Sequence, residues 1–441
     1  VLNTVHALRG MVVAPHALAA QSGLAILREG GNAIEAAVAT AASLAVLYPH
    51  MSGIGGDGFW LIAAPGERVW AIDASGRAPA DLHLGDPRLR GCAAMPTRGP
   101  MAANTVAGTL SGWQAALALG RREWGGRLPL PSLLADAVGY AESGSPVTAS
   151  QAASTTDKLG ELRIQPGFAA TYLAGDRVPE VGSPLRQPAL AATLRRLGDA
   201  GLEDFYRGEL AGSVAAQLTA VGSPLGLADL RAQRASVTRP LALRLGERLP
   251  AGSLFAPPPP SQGLATLSIF GQVAYAPADR VVTGQGDYLH LLIEATKQAF
   301  RVRDRWVRDP LDLAGADLTA LLTPPVLRQR SAAIDMQRAG AWPEPGDPGD
   351  TTWFGAIDGA GRAVSAIQSL FHEFGSGVVL KDTGVCWHNR GASFSLEAGR
   401  PRSLAPGRKP FHTLCPSLAC LDDGSPARYD WRVDAIDLKY I

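Results

Sequence analysis

The sequence predicts an α+β protein, and three features carry that reading. Phe59 to Ala63 and Arg68 to Asp73 read as a hairpin around Pro65-Gly66. Residues 352 to 357 read as a strand, Asp358-Gly359-Ala360-Gly361 as a turn, and Arg362 to Gln368 as the returning strand. Helical patterns fill much of the rest, and the chain of 441 residues is 46% hydrophobic and 18% charged. That balance can bury a large core, in one large unit or two ordinary domains, and argues against disorder.

A net charge of +1 gives no global case for nucleic acid or an acidic membrane surface. The four cysteines, Cys92, Cys386, Cys415 and Cys420, lack metal-ligand spacing and read as free. Val1 to Gly10 has no apolar run behind a basic start. The most apolar stretch, Ala33 to Leu47, contains Glu35 and is too short to span a bilayer. The compartment therefore stays open: the cytoplasm is favoured, and the periplasm applies if a leader has been removed.

In chain order, Met11-Val12-Val13-Ala14 reads as a strand, and Pro15 opens a helix to Arg28-Glu29 that Gly30-Gly31 stops. Asn32 caps the next helix, Ala33 to Leu47, which is apolar around nearly its whole circumference and is expected between layers. Ser52-Gly53-Ile54-Gly55-Gly56-Asp57-Gly58 matches no phosphate loop; its glycines suit either a plain tight turn or a close approach to a ligand. Arg77, in Gly76-Arg77-Ala78-Pro79, has the fork that meets a carboxylate, and equally reads as a solvated loop end. Helices are expected over 110–121 and 133–142, and a mainly helical region over 146–250, with segments at 150–160, 189–197, 209–220 and 227–232. Leu254-Phe255-Ala256 reads as a strand running into four prolines, and Tyr288 to Trp306 as an amphipathic helix.

The stretch from Gly349 to Asp358 organises the rest. Thr351 stands where a polar, Pro/Gly-rich linker enters a strand. Cutting the chain before it makes a new N-terminus whose amine, with a pKa near ~8, can serve as base for its own hydroxyl. Taken alone, Thr-Thr at a strand start is ordinary β-propensity. The stretches 374–379 and 385–390 each read as strand and tight turn. His372, His388 and His412 lack helical metal-ligand spacing, and none reads as catalytic.

Taken together, Gly10-Met11-Val12-Val13, Gly30-Gly31-Asn32-Ala33, Ser52-Gly53-Ile54-Gly55-Gly56, Pro258-Pro259-Pro260-Ser261-Gln262-Gly263, Asp350-Thr351-Thr352 and Phe374-Gly375-Ser376-Gly377 resemble the γ-glutamyltranspeptidase family of N-terminal-nucleophile hydrolases. The matches run in family order from residue 10 to about 424. The resemblance implies a four-layer αββα sandwich, made as one chain that cleaves itself between Asp350 and Thr351. Residues 1–350 would form the large-subunit region and 351–441 the small-subunit region. It implies Thr351 as nucleophile, Ser369 as the second hydroxyl that orients it, and no metal or organic cofactor. It places Arg77, Arg390, Ser393, His412 and Thr413 in the substrate-binding set, although strict alignment puts Ser75 at the arginine position.

The departures from the family share a direction. Phe371 replaces the Asn that follows the second hydroxyl, Ala392 and Ser393 replace the acidic pair that grips a glutamyl α-amine, and His412-Thr413 replaces a Ser-Ser pair. The chain thus resembles the divergent, cephalosporin-acylase-like branch. The expected activity is an amidohydrolase or acyltransferase acting on γ-glutamyl amides such as glutathione. The alternatives are a glutaryl- or cephalosporin-type acylase and a processing-dead homologue without catalysis. The expected partners are a γ-glutamyl or glutaryl amide and the two subunits of one precursor, with no nucleic acid and no membrane. No Gly-Gly turn follows Thr351, and the texture changes near residue 425. The small-subunit region is therefore expected to be incomplete, with an atypical tail.

Overall fold

A computed structural model describes residues 6–245, 252–276, 286–342 and 351–421. Asp350 and the tail beyond 421, on which the cleavage and tail expectations fall, lie outside the described residues.

The strands are β1 (Gly10–Val13), β2 (Asp57–Ala63), β3 (Trp70–Ala74), β4 (Ser145–Pro146), β5 (Pro184–Leu185), β6 (Ser236–Thr238), β7 (Leu241–Arg244), β8 (Gly252–Ala256), β9 (Thr352–Asp358), β10 (Ala363–Ser369) and β11 (Leu418–Leu421). One sheet has the order β1-β9-β10-β2-β3-β6 and a second the order β11-β8-β7, both antiparallel. Both expected hairpins form, and β1 and β10 flank β9, so strands from both sides of Asp350 share the larger sheet.

Side-chain parity separates the layers, because successive residues of a strand face opposite ways. Trp60, Ile62, Ile72, Phe354, Ala356, Val364 and Ala366 pack with the helix Ala33–Leu47 in the main core. Their neighbours Leu61, Ala63, Ala71 and Ala363 pack instead with Leu418 and Phe255 of the second sheet. That sheet turns Leu241, Leu243, Leu254 and Ala256 outward onto Leu264 and Leu267 of the helix Gly263–Ala274. The result is helices, sheet, sheet, helices: the four-layer αββα sandwich.

The helix Ala33–Leu47 is buried at all 15 positions, as its all-round apolar sequence demands. Its start is fixed by a capping box. Asn32 Oδ1 accepts from the amides of Ile34 and Glu35, while Glu35 Oε2 accepts from the Asn32 amide at 2.8 Å. Asp358, at the turn between β9 and β10, accepts from the Ala33 amide and so ties the helix to the central hairpin.

Two expectations change. Residues 374–379 and 385–390 are not strands; they form turns joined by a single Val379–Cys386 bridge. Phe374, Gly375 and Gly377 all have φ between 57° and 74°, the left-handed region of a turn. The Gly55-Gly56 pair permits close backbone approach within the chain. A Cβ on Gly55 would stand 2.1 Å from the Cys386 carbonyl oxygen, and one on Gly56 2.3 Å from that of Ser369. Among the described residues no helix is long and apolar enough to cross a membrane, and no group of three or more His, Cys, Asp or Glu is arranged to hold a metal ion. All four cysteines are free.

Candidate active site

Register brings the first two candidates together. β9 pairs with β10 through Thr352↔Gln368, so the next step sets Thr351 opposite Ser369. β10 pairs with β2 through Ser369↔Asp57. Thr351, Ser369 and Asp57 thus form one row across three adjacent strands, with the parity of the residues that face the second sheet. The Thr351 hydroxyl is buried and meets no hydrogen-bond partner among the described residues. Burying a hydroxyl without a partner costs about 1–3 kcal/mol. Such a cost is expected where a group is held ready for chemistry. Ser369 Oγ accepts from the Phe371 amide at 2.9 Å, which turns the chain sharply after β10. Phe371 has φ of 80°, a strained value for a bulky residue.

That turn presents the Phe371 ring to Arg390. The guanidinium carbon lies 3.5 Å from the ring centroid, and Nη1 lies 3.4 Å from Thr413 Oγ1. Arg390 is 2% exposed, so its charge acts in a poorly screened setting. Two neighbours record its field. Burial, then Arg98 and Arg390, holds His372 down to about 4. Burial, then Arg390, His388 and Lys409, holds His412 well below the usual histidine range.

The other expected binding residues are placed differently. Ser393 Oγ lies 3.1 Å from the carbonyl oxygens of both Arg390 and Phe411, so it fastens the loop that carries Arg390. Arg77 donates to Asp309 at 3.2 Å and to the Gly407 carbonyl at 3.0 Å, which makes it a clamp between loops. His412 is fully buried and turned towards Asp57.

Asp57 is the residue that sequence reasoning missed. Its Oδ1 accepts from the amides of Gly76 and Gly108, which pins two loops to the end of β2. Its Oδ2 lies 3.4 Å from His388 Nδ1 and 3.4 Å from His412 Nε2. Burial pushes the Asp57 carboxyl up; His388, the Gly76 amide and Lys409 oppose that shift, and Asp73 adds to it. Lys409 itself is held by Asp73 at 2.7 Å. His388 Nε2 lies 2.9 Å from the Thr105 carbonyl oxygen, an acceptor only, so that nitrogen carries the hydrogen. Nδ1 is then the ring nitrogen that faces Asp57 Oδ2. The available signal was an acid set among glycines at the start of an apolar strand.

The γ-glutamyltranspeptidase family model matches residues 19–429. The chain belongs to the γ-glutamyltranspeptidase family. It is 52% identical over 418 residues to an oxamate amidohydrolase proenzyme of Klebsiella pneumoniae, covering 94% of this chain and 77% of that protein. It is 36% identical to the glutathione hydrolase-like YwrD proenzyme of Bacillus subtilis, over 93% of this chain and 76% of the relative. Among solved structures, the cephalosporin acylase from Bacillus halodurans superposes with a TM-score of 0.86 at 34% identity, covering 96% of this chain and 77% of that one. The fold is therefore that of the N-terminal-nucleophile hydrolases, and the chain is a hydrolase or acyltransferase of this family.

Proposed function

We propose that this chain is the precursor of an N-terminal-threonine amidohydrolase whose substrates are amides of small acids that carry a carboxylate and no ammonium group. Arg390 is the observation that supports it most. This buried cation lies beside Thr413 and Phe371, on a loop where Ala392 and Ser393 stand in place of acids. A carboxylate gains a charge-assisted partner there, whereas a γ-glutamyl α-ammonium brings a second cation without a matching acid. Oxamate, the substrate named for the Klebsiella relative, is the smallest amide of this class, and glutaryl amides are longer members. Glutathione and other γ-glutamyl amides share the acyl chemistry but carry the disfavoured ammonium.

The proposed chemistry begins with Thr351 Oγ attacking the Asp350 carbonyl carbon. The peptide bond becomes an ester, and water opens it to a free Thr351 amine and an Asp350 carboxylate. This divides residues 1–350 from 351–441, and the strands of the larger sheet hold the two parts together. The freed amine takes the proton of its own hydroxyl as that oxygen attacks the substrate amide. The leaving amine departs with a proton, and water then hydrolyses the acyl ester. Ser369, opposite Thr351, orients the nucleophile. With oxamate, one water is consumed, giving oxalate and ammonium.

The test compares oxamate, a glutaryl anilide and a γ-glutamyl anilide on wild type and Arg390→Ala. Oxamate or the glutaryl anilide is expected to be preferred. Removing one charge-assisted interaction of about 1.5–3 kcal/mol lowers kcat/KM on the preferred substrate by about 10- to 150-fold. A γ-glutamyl preference, or an Arg390→Ala chain that keeps full activity on the anionic amide, would overturn the assignment.

A further inference from the structure

A cleft of about 460 Å³ opens between the segment Arg308–Asp312 and the loop that runs from Gly399 to Phe411. Five cationic side chains line it, Arg308, Arg400, Arg402, Arg408 and Lys409, against the two carboxylates of Asp309 and Asp312. Both acids are already engaged. Asp312 pairs with Arg408 Nη2 at 3.0 Å. Asp309 pairs with Arg77 and accepts from the Lys409 amide at 2.6 Å. Acids behind the wall hold three of its cations, Glu397 on Arg400, Asp304 on Arg402 and Asp73 on Lys409, so what the cleft offers is the donor groups these pairs leave unused.

The geometry of three arginines sharpens this. Arg308 Nε, Arg402 Nε and Arg408 Nη1 are buried and meet no acceptor among the described residues. Two of these guanidinium groups are fixed from behind, Arg402 by Asp304 at 3.0 Å and Arg408 by Asp312, so their remaining N–H groups keep one orientation. Arg402 also lies 3.7 Å from the centroid of the Phe411 ring. Burial pulls the Arg402 guanidinium down to about 10, Arg303 adds to that shift, and Asp304 only partly offsets it. Buried donors without acceptors are costly, and planar guanidinium forks match carboxylate and phosphate oxygens.

We infer that this cleft binds a small multivalent anion bearing carboxylate or phosphate groups, at a site apart from the acyl pocket. Phe411 stands between the two: it lines the cleft, and the Arg390 guanidinium carbon is 5.8 Å from its ring centroid on the path to Thr413. The volume suits a ligand of citrate or pyrophosphate size, near the lower end of small-molecule sites. Phe411 is followed directly by His412 and Thr413, which gives an occupant a short route to the acyl pocket.

The test is calorimetric titration of the full chain with citrate and with pyrophosphate at about 0.15 M salt, beside acetate as a monovalent control. One saturable site is expected for at least one multivalent anion, with none for acetate. Arg308→Gln removes a donor that holds no ion pair among the described residues and should leave the melting temperature in place. It is expected to weaken binding at least about 10-fold while amide hydrolysis without added anion stays unchanged. Arg402→Gln should do the same and is checked for folding by its melting temperature. A free anion that changes turnover without competing with the amide supports an independent ligand. Competition confined to amides with an anionic leaving group supports the same chemistry supplied by the substrate's far end. Absence of saturable binding, or binding unaltered by both variants, overturns the inference. Binding is read without turnover, so failure of the amidohydrolase assignment would leave this result standing.

Discussion

Thr351→Ala leaves the polypeptide whole and lowers amide hydrolysis by at least about 10⁴-fold, because one hydroxyl serves in both reactions. Thr351→Ser retains a hydroxyl in the same row and is expected to process and turn over measurably. The pair separates chemistry from folding: β9 begins at Thr352, and the alanine chain keeps every ladder bond of β9 with β1 and β10. Urea midpoints of the two variants should agree. An alanine variant with substantial activity would place the nucleophile elsewhere, and Ser369, directly opposite, would be the first group to examine.

Asp57→Ala is expected to destabilise the protein by about 1–3 kcal/mol, since the Gly76 amide loses its buried acceptor, whereas the Gly108 amide keeps the Gly56 carbonyl. That is a large share of the 5–15 kcal/mol typical of a folded domain. Asp57→Asn keeps the acceptor and supplies an N–H towards His388 Nδ1, so it should stay within about 1 kcal/mol of wild type. The sign of the pH dependence follows from burial, which holds the Asp57 carboxyl above its ordinary value. Its contribution is fully present below about pH 4 and is lost as pH rises through the raised value. The Asn variant carries no such term. Raising the pH from about 5 to about 8 should therefore move the stability difference in favour of Asp57→Asn. Urea denaturation at the two pH values reads it. An Asn variant as damaged as the Ala variant, with no change in the gap, would mean that Asp57 is an ionised partner of charged histidine.

Local chemistry made much of the fold legible in the sequence. The Asn32–Glu35 box, the apolar circumference of Ala33–Leu47 and the two hairpin turns are short-range signals, and each appears where the residues place it. Thr351 and Ser369 are singled out through the family resemblance, and the register of the hairpin sets them opposite each other. What the sequence hid is long-range. Asp57, His388 and His412 meet only when the β2–β10 ladder, the turn after Val385 and the segment before β11 are all assembled. Nothing in their spacing announces it. At 374–379 and 385–390 the tight turns form and regular strands do not, because the β-branched and aromatic residues there pack as buried turns, with Phe374 in the left-handed region. Arg77 has the right chemistry for a carboxylate, but the buried Asp309 supplies one from within the chain.

The most direct test of the central claim is the intact mass of the purified protein after incubation at neutral pH, with N-terminal sequencing of any fragment. The account predicts two pieces, the smaller beginning Thr351-Thr352-Trp353, and a whole chain for Thr351→Ala. A wild-type chain that stays whole while hydrolysing amides, or a fragment that begins at any other residue, would contradict it.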